Sequence, residues 1–294
     1  MSHIDLFPRA LAYGKAEHSQ RLFERHKRII EPNIQWIRDK RVLDLASNNG
    51  RWVWAALNAG ATFVTGVEGR DDRVAQATRN LVDLGYGDRC RIACSDIFDF
   101  LFQSKPGEYD AVLCLGVYYH VMDHYMLMRL MAKLAPELII IDSSFLRTFD
   151  FLVSVHADNT SLHTSALPKY KGQRAEIVGE VSLGLMIEMA ANFGYRVEPI
   201  AWRPAEIQFP IPVHDYLRGR RFTLRLVKSE RDEIRSSGWK ARWVDVLSAL
   251  NPSFAKLPDA TMGNPYKDLM TKYLKLRLEY EALLGGPNKK ASVR

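Results

Sequence analysis

Long apolar runs are missing from this chain of 294 residues. No stretch of about 18 apolar residues occurs, so nothing reads as a membrane-spanning helix and no membrane partner is expected. The opening, MSHIDLFPRA, lacks the basic start and apolar core of a secretory signal, which points to the cytoplasm. Cysteine is scarce. Cys90, Cys94 and Cys114 are an odd set inside apolar, strand-like runs. That excludes a disulfide framework, fits a reducing compartment and offers no paired thiolates for zinc. Internal repeats and low-complexity blocks are absent as well.

What remains is globular: 47% of the residues are hydrophobic and 26% charged. The net charge is +7. Basic residues crowd two places: Arg21, Arg25, Lys27 and Arg28, then Arg218, Arg220, Arg221, Arg225, Lys228, Arg231 and Arg235. Such a surface attracts phosphates or nucleic acid. The plainer reading is a solvated face, and the balance leaves an anionic substrate open without demanding one.

From 41 to 145 the pattern alternates. RVLDLAS (41–47), TFVTGVE (62–68), CRIACSD (90–96), YDAVLCLGV (109–117) and ELIIIDSSF (137–145) read as strands. Helical spacing follows in GRWVWAALNAG, in DDRVAQATRNLVDLG (71–85) and in HYMLMRLMAKLAP (124–136). Strands without polar alternation, separated by helices, imply a parallel sheet covered on both faces. The rhythm breaks at 146–178, a polar, irregular stretch rich in His, Ser and Thr. A helix ending at Gly194, a strand at 195–202, a proline-bearing ordered insertion at 203–219 and a strand over 220–229 come next. Beyond about 230 the chain reads as helical. Its apolar stripe packs on its own domain, or else forms a homodimer contact. The last ten residues, 285–294, read as a disordered tail.

Ligands of an open parallel sheet sit beyond the carboxyl ends of its strands. The first such turn is Asp44-Leu45-Ala46-Ser47-Asn48-Asn49-Gly50, which holds a single glycine. A dinucleotide fingerprint needs glycines at 46, 48 and 51, where this chain has Ala, Asn and Arg, so that reading is weak. The turn resembles motif one of the class I S-adenosylmethionine-dependent methyltransferases, an acid followed by G-x-G-x-G. Asp44 and Gly50 match it. Ala46 and Asn48 depart from it, but alanine is small and asparagine tolerates positive φ.

The resemblance extends over 41–145 and to the later strand pair. It implies a doubly wound, mostly parallel seven-stranded α/β sheet of the Rossmann-like methyltransferase kind, and S-adenosylmethionine as cofactor. Asp44, Ala46, Ser47, Asn48, Asn49 and Gly50 would form the cofactor loop. Glu68, followed by Gly69 and 24 residues after Asp44, would read the ribose hydroxyls. Asp96 would take the adenine amino group, with Ile97 and Phe98 flanking the ring. Leu115 and Gly116 would line the sulfonium end. The segment Tyr118-Tyr119-His120 is similar to that of the small-molecule and tRNA wobble-uridine branches. It suggests His120, with Tyr119, as catalytic base or substrate ligand; the plainer reading of His120 is a cap on the next helix. Tyr118, His124, His156 and His163 are candidates for the acceptor. A magnesium site on His120, His124 and Asp123 or Asp142 is a weaker alternative.

The expected organisation is a helical lid at 1–40, with Tyr13, Lys15 and His18 near the cofactor's methionine end. A methyltransferase domain follows at 41–229, with substrate-side insertions at 146–178 and 203–219. Helices at 230–284 and the tail complete the chain. The expected function is methylation of a small polar acceptor, at a hydroxyl, such as a sugar or natural product. An RNA methyltransferase is the alternative, supported by charge but by no RNA-binding module. A non-catalytic binder is the third.

Overall fold

The computed structural model describes residues 7–8, 10–12, 15–158, 173 and 175–230. The expected C-terminal helices, the tail, the dimer stripe, Tyr13 and His163 lie outside them.

One sheet organises the chain. Its strands are β1 (Arg41–Leu45), β2 (Phe63–Glu68), β3 (Cys90–Cys94), β4 (Ala111–Leu115), β5 (Leu138–Ser144), β8 (Tyr195–Ile200) and β9 (Arg221–Lys228), in the order β3-β2-β1-β4-β5-β9-β8. The first five run parallel, while β9 is antiparallel to both β5 and β8. This is the expected seven-stranded, mostly parallel sheet. Burial follows position: β4 is buried throughout and β1 everywhere but Arg41, whereas β3 at the edge is half exposed. A central parallel strand has helices over both faces, which is why the inner strands read as unbroken apolar runs.

Helices α1 (Ala16–Ile29), α2 (Arg51–Asn58), α3 (Asp71–Asp83), α4 (Ile97–Gln103), α5 (His124–Lys133), α6 (Leu183–Asn192) and the single turn α7 (His214–Leu217) complete the layers. Trp52, Val53, Ala56 and Leu57 of α2 join Leu22 and Ile29 of α1 against Val42, Leu113 and Ile140 in one core. α4 is absent from the sequence reading. It forms because the Asp96 carboxylate caps it, accepting from the Phe98 N–H at 2.7 Å.

The segment 146–178 is not irregular throughout. Strand β6 (Val153–Asp158) pairs antiparallel with β7 (Glu176–Val181) in a separate two-stranded sheet. Val153, Val155 and Ala157 alternate with Ser154, His156 and Asp158, a period-two pattern that the segment's overall polarity concealed. The cysteine expectation also needs correcting. Cys114 is buried, but Cys94 is exposed, with its thiol on the Asp71 carboxylate at 2.9 Å.

Candidate active site

The register brings Leu45, Val67 and Cys114 level, so the turn after β1 leaves the sheet beside the ends of β2 and β4. Three of its residues have positive φ: Ala46 at 56°, Asn48 at 52° and Gly50 at 84°. They are the three positions where the motif places glycine, so the backbone keeps the motif's conformation with two of the glycines replaced. The turn closes on β2. Ser47 N–H donates to the Val67 carbonyl at 2.9 Å, and the Asn48 N–H donates to Glu68 Oε2 at 2.9 Å. Glu68 also accepts from the Arg70 N–H at 3.2 Å. Burial raises the Glu68 pKa, and those backbone donors pull against it. Gly66 allows the close approach: a Cβ there would meet Ser47 Oγ at 2.8 Å and Ile92 at 2.7 Å.

The loop's side chains look inward. Asn49 Nδ2 donates to the carbonyls of Ala10 and Leu11, fastening the N-terminal segment to the turn. Arg51 does not point into solvent: its guanidinium donates to Asn49 Oδ1 at 2.9 Å and to Asn48 Oδ1 at 3.4 Å. Asp44 is fully buried, and among the described residues its Oδ2 has no hydrogen-bond donor and buried Ser47 Oγ has no partner. Burial pushes the Asp44 pKa well up, with Arg51 and Arg25 opposing and Glu68 reinforcing. Buried polar atoms are normally satisfied, so two orphans beside one turn suit a polar ligand.

The segment after β4 divides. Gly116 N–H donates to the Asp142 carbonyl at 2.9 Å, and Tyr118-Tyr119-His120 form a 3₁₀ turn. Tyr118 does not emerge at a pocket mouth. It is fully buried against His124 and Phe145, and its hydroxyl donates to the His124 carbonyl at 3.3 Å. His124 is buried too, and its Nε2 meets the Gly179 carbonyl at 2.9 Å, which holds β7 to α5. These two are packing residues. His120 stays partly open. Its Nδ1 lies 3.2 Å from Asp158 Oδ2 on β6, and Tyr119 packs on its ring at 4.2 Å. Burial lowers the His120 pKa, with Asp158 pulling it back up. His120 caps no helix, since Asp123 does that for α5, accepting from the Met126 N–H at 3.0 Å. His156 sits exposed on β6, two residues from Asp158.

Asp142 belongs to a different cluster, which the sequence reading missed. It is fully buried and accepts from Arg221 Nε at 2.5 Å, Arg25 Nη2 at 3.0 Å, Thr223 Oγ1 at 2.8 Å and Tyr216 Oη at 2.8 Å. Burial raises its pKa, but Arg221 and Arg25 outweigh that and hold it at about 2. The Arg221 guanidinium lies over the Tyr119 ring at 5.5 Å, so the cluster backs directly onto the Tyr119–His120 turn. The signals were present. Asp142 lies near the carboxyl end of a strand, as Asp44 and Glu68 do, and Arg25 shares a helix face with Leu22 and Ile29. With Asp142 so engaged, His120, His124 and Asp142 are not brought together. No group of three metal-binding side chains occurs among the described residues.

The basic clusters are a solvated face only in part: Arg218, Arg220 and Lys228 are exposed, Arg231 and Arg235 lie outside the described residues, and others are paired. Arg21 forks onto Asp215 at 2.7 and 2.8 Å, Arg28 reaches buried Glu24 at 3.5 Å, and Arg225 holds Glu198 at 2.6 Å. Part of the basic charge therefore staples α1 and β9 to their neighbours, which lessens the support it lent to an RNA partner.

Residues 42–137, from β1 to the threshold of β5, match the family model described as a methyltransferase domain. Over that stretch the chain is similar to a methyltransferase domain. Solved structures share its fold. The N-terminal domain of EvdMO1 with SAH bound is 18% identical, covers 72% of this chain and 81% of its own, and has a TM-score of 0.50. The same domain in the presence of SAH and D-fucose gives 0.51, with 18% identity and coverage of 72% and 83%. A Listeria monocytogenes protein described as an S-adenosylmethionine dependent methyltransferase is 18% identical, with coverage of 72% and 99% and a TM-score of 0.50. At that identity the likeness shows the fold: an α/β, Rossmann-like methyltransferase sheet. No curated protein matches the chain in sequence.

Proposed function

We propose that the methyltransferase domain uses S-adenosylmethionine to methylate a small polar acceptor at a hydroxyl. The observation that carries this reading is the turn after β1. Three alternating positive φ angles close it on Glu68 beside the orphaned Asp44 Oδ2 and Ser47 Oγ. Those residues fit the cofactor. Asp44 and Ser47 offer buried polar atoms to its amino-acid end, and Ala46, Asn48, Asn49 and Gly50 shape the backbone around it. Glu68, with Gly69, faces the ribose, and its carboxylate is already at the loop. Asp96, Ile97 and Phe98 suit the adenine, and Leu115 and Gly116 the sulfonium end. When bound, S-adenosylmethionine supplies an electrophilic methyl group.

His120 is the base of this proposal. Asp158 accepts the Nδ1 proton, which leaves Nε2 as the basic nitrogen. Burial favours the neutral ring, so the base is competent near neutral pH. As the acceptor oxygen bonds to the methyl carbon, its proton passes to Nε2. Tyr119, packed at a tilt against the ring and under the Arg221 guanidinium, fixes the imidazole plane. A hydroxylated acceptor such as a sugar fits a hydrogen-bonding wall made of His120, His156 and Tyr119. One solved structure of the fold was obtained in the presence of SAH and D-fucose.

The test is kinetic. His120→Ala is expected to lower kcat about 10²–10⁴-fold while S-adenosylhomocysteine affinity stays within twofold. Full turnover in that variant removes the base, and no cofactor binding at millimolar ligand removes the methyl-transfer reading.

A further inference from the structure

One wall of the methyl-transfer site is explained neither by its base nor by the cofactor turn. Gly116 follows β4 with φ at 94°. A Cβ placed on it would meet a single atom within 4 Å among the described residues, Nη2 of Arg221 at 3.3 Å. The space over Gly116, which the methyl-transfer reading gives to the sulfonium end, is therefore open except for a guanidinium. The same guanidinium lies 5.5 Å from the centre of the Tyr119 ring, and His120 packs against Tyr119 at 4.2 Å. Arg221 also has a corner to spare. Nε and Nη2 form a fork on Asp142, Nε reaches Tyr216 Oη at 3.0 Å and Nη2 donates to the Asp142 carbonyl at 3.0 Å. Nη1 is the corner away from that fork. It makes no hydrogen bond among the described residues and, unlike Arg25 Nε, it is not sealed from solvent. The charge behind it is unbalanced as well. The guanidiniums of Arg21, Arg25 and Arg221 face only two carboxylates, Asp215 and Asp142. One positive charge is left over in a largely buried cluster, and a carboxylate or phosphate oxygen is the strongest partner for it.

We propose that the methyl acceptor is an anion, with a carboxylate or phosphate group beside the hydroxyl that is methylated, and that Arg221 Nη1 binds this group. Arg221 is then the residue that sets specificity. This rests on the methyl-transfer reading and deepens it by naming the class of acceptor: a hydroxy acid, a sugar acid or a sugar phosphate. The geometry gives each half of such a molecule a place. Its anion meets Arg221 next to Gly116, and its hydroxyl meets His120, one side chain further along past Tyr119. A neutral acceptor of the same shape leaves the surplus charge unanswered and binds more weakly. The charged groups that act on His120 are Asp158, Arg221 and His156, so an anion on Arg221 is felt at the base. The cofactor's own methionine carboxylate is the competing source of the same chemistry, and the experiment separates the two.

The full chain is saturated with S-adenosylhomocysteine and titrated with acetate and with inorganic phosphate. Binding is read by calorimetry and by NMR of the His120 ring, whose signal is assigned by its loss in His120→Gln. At least one of the two anions is expected to bind the loaded protein and to raise the His120 pKa, since a negative charge beside the ring favours its protonated form. The preferred anion tells carboxylate from phosphate. Arg221→Lys keeps a cation for Asp142 but has no second terminal nitrogen. It is expected to weaken the anion about tenfold or more, while S-adenosylhomocysteine affinity changes less than twofold. Arg203→Gln, which removes an exposed charge elsewhere, leaves anion binding unchanged. If Arg221→Lys does not fold, the His120 measurement on the unaltered protein decides alone. Four results overturn the proposal: no anion binding to the loaded protein, anion binding that S-adenosylhomocysteine abolishes, anion binding that leaves the His120 pKa unmoved, or anion binding that folded Arg221→Lys weakens no more than Arg203→Gln does. Each of these leaves the methyl-transfer reading standing. A protein that does not bind S-adenosylhomocysteine overturns both.

Discussion

β1 and β5 each carry a fully buried aspartate near the carboxyl end, and the protein treats the two in opposite ways. Asp142 on β5 takes hydrogen bonds from two arginines, a tyrosine and a threonine, and its pKa falls to about 2. Asp44 on β1 keeps an oxygen with no donor at all, and burial drives its pKa well up. The same residue type near the carboxyl ends of two strands of one sheet, two residues apart in register, thus serves two purposes. A carboxylate saturated by the protein's own donors is structural, whereas one left short of donors in a dry site suits the ligand role proposed for Asp44.

The largest expected effect breaks the saturated side. Asp142→Ala strands Arg25 and Arg221 as buried charges, and its cost is about 3–5 kcal/mol, read as a large drop in melting temperature or loss of soluble protein. Asp44→Asn is expected to behave differently. It removes a group whose burial costs more than Arg51 and Arg25 offset, so the free protein's melting temperature does not fall. S-adenosylhomocysteine affinity drops about ten- to a hundredfold, the worth of one hydrogen bond to a charged group. If Asp44→Asn melts early and Asp142→Ala does not, the contrast is wrong.

pH sharpens the same contrast. The folded pKa of Asp142 lies below its ordinary value of 3.8, so its stabilisation is complete above pH 3.8 and is lost as pH falls towards 2. The folded pKa of Asp44 lies above 3.8. Its contribution is present below that value and fades as pH rises through the folded pKa. Acid titration of stability is therefore expected to flatten in an Asp142 variant between pH 4 and 2. An Asp44→Asn variant keeps that acid limb and loses the opposing slope above it. The role proposed for His120 as base predicts a kinetic limb as well. The His120 pKa is below 6.5, so the acid side of the pH–rate profile falls below pH 6.5. Asp158→Asn, which removes a group that raises that pKa, moves the limb lower still.

These asymmetries mark where the sequence was legible. Wherever periodicity decides structure it could be read: β1 to β5, the helices between them and the closing β8–β9 pair follow from apolar spacing and caps. Acids near strand ends singled out Asp44 and Glu68, and the structure sets the Glu68 carboxylate on the turn after β1. Tyr118 and His124 were misplaced because a segment leaving a strand says which residues sit near a site, not which of them turn into the core. β6 was hidden by its polar half. The Asp142 cluster joins residues from α1, β5, α7 and β9, between 25 and 223 in the chain. No local pattern announces such a meeting, and basic residues that look like a solvated face became its cations.

The smallest effect tests whether the substituted motif is a matter of backbone alone. Ala46 holds φ at 56° and Asn48 at 52°. For an alanine that region costs about 1–2 kcal/mol, and asparagine pays less because its side chain can bond locally. Here Asn48 Oδ1 accepts from Arg51. Ala46→Gly should therefore stabilise the protein by about 1 kcal/mol or less, because the gain in the folded turn is offset by glycine's freedom in the unfolded chain. Ala46→Val should destabilise it and weaken S-adenosylhomocysteine, since a β-branched residue resists positive φ. Asn48→Gly should keep cofactor affinity near that of the unaltered protein, and Asn48→Val should abolish it. If Asn48→Gly abolishes it too, the asparagine is retained for its side chain, and the contact with Arg51 becomes part of the cofactor site rather than a brace behind it.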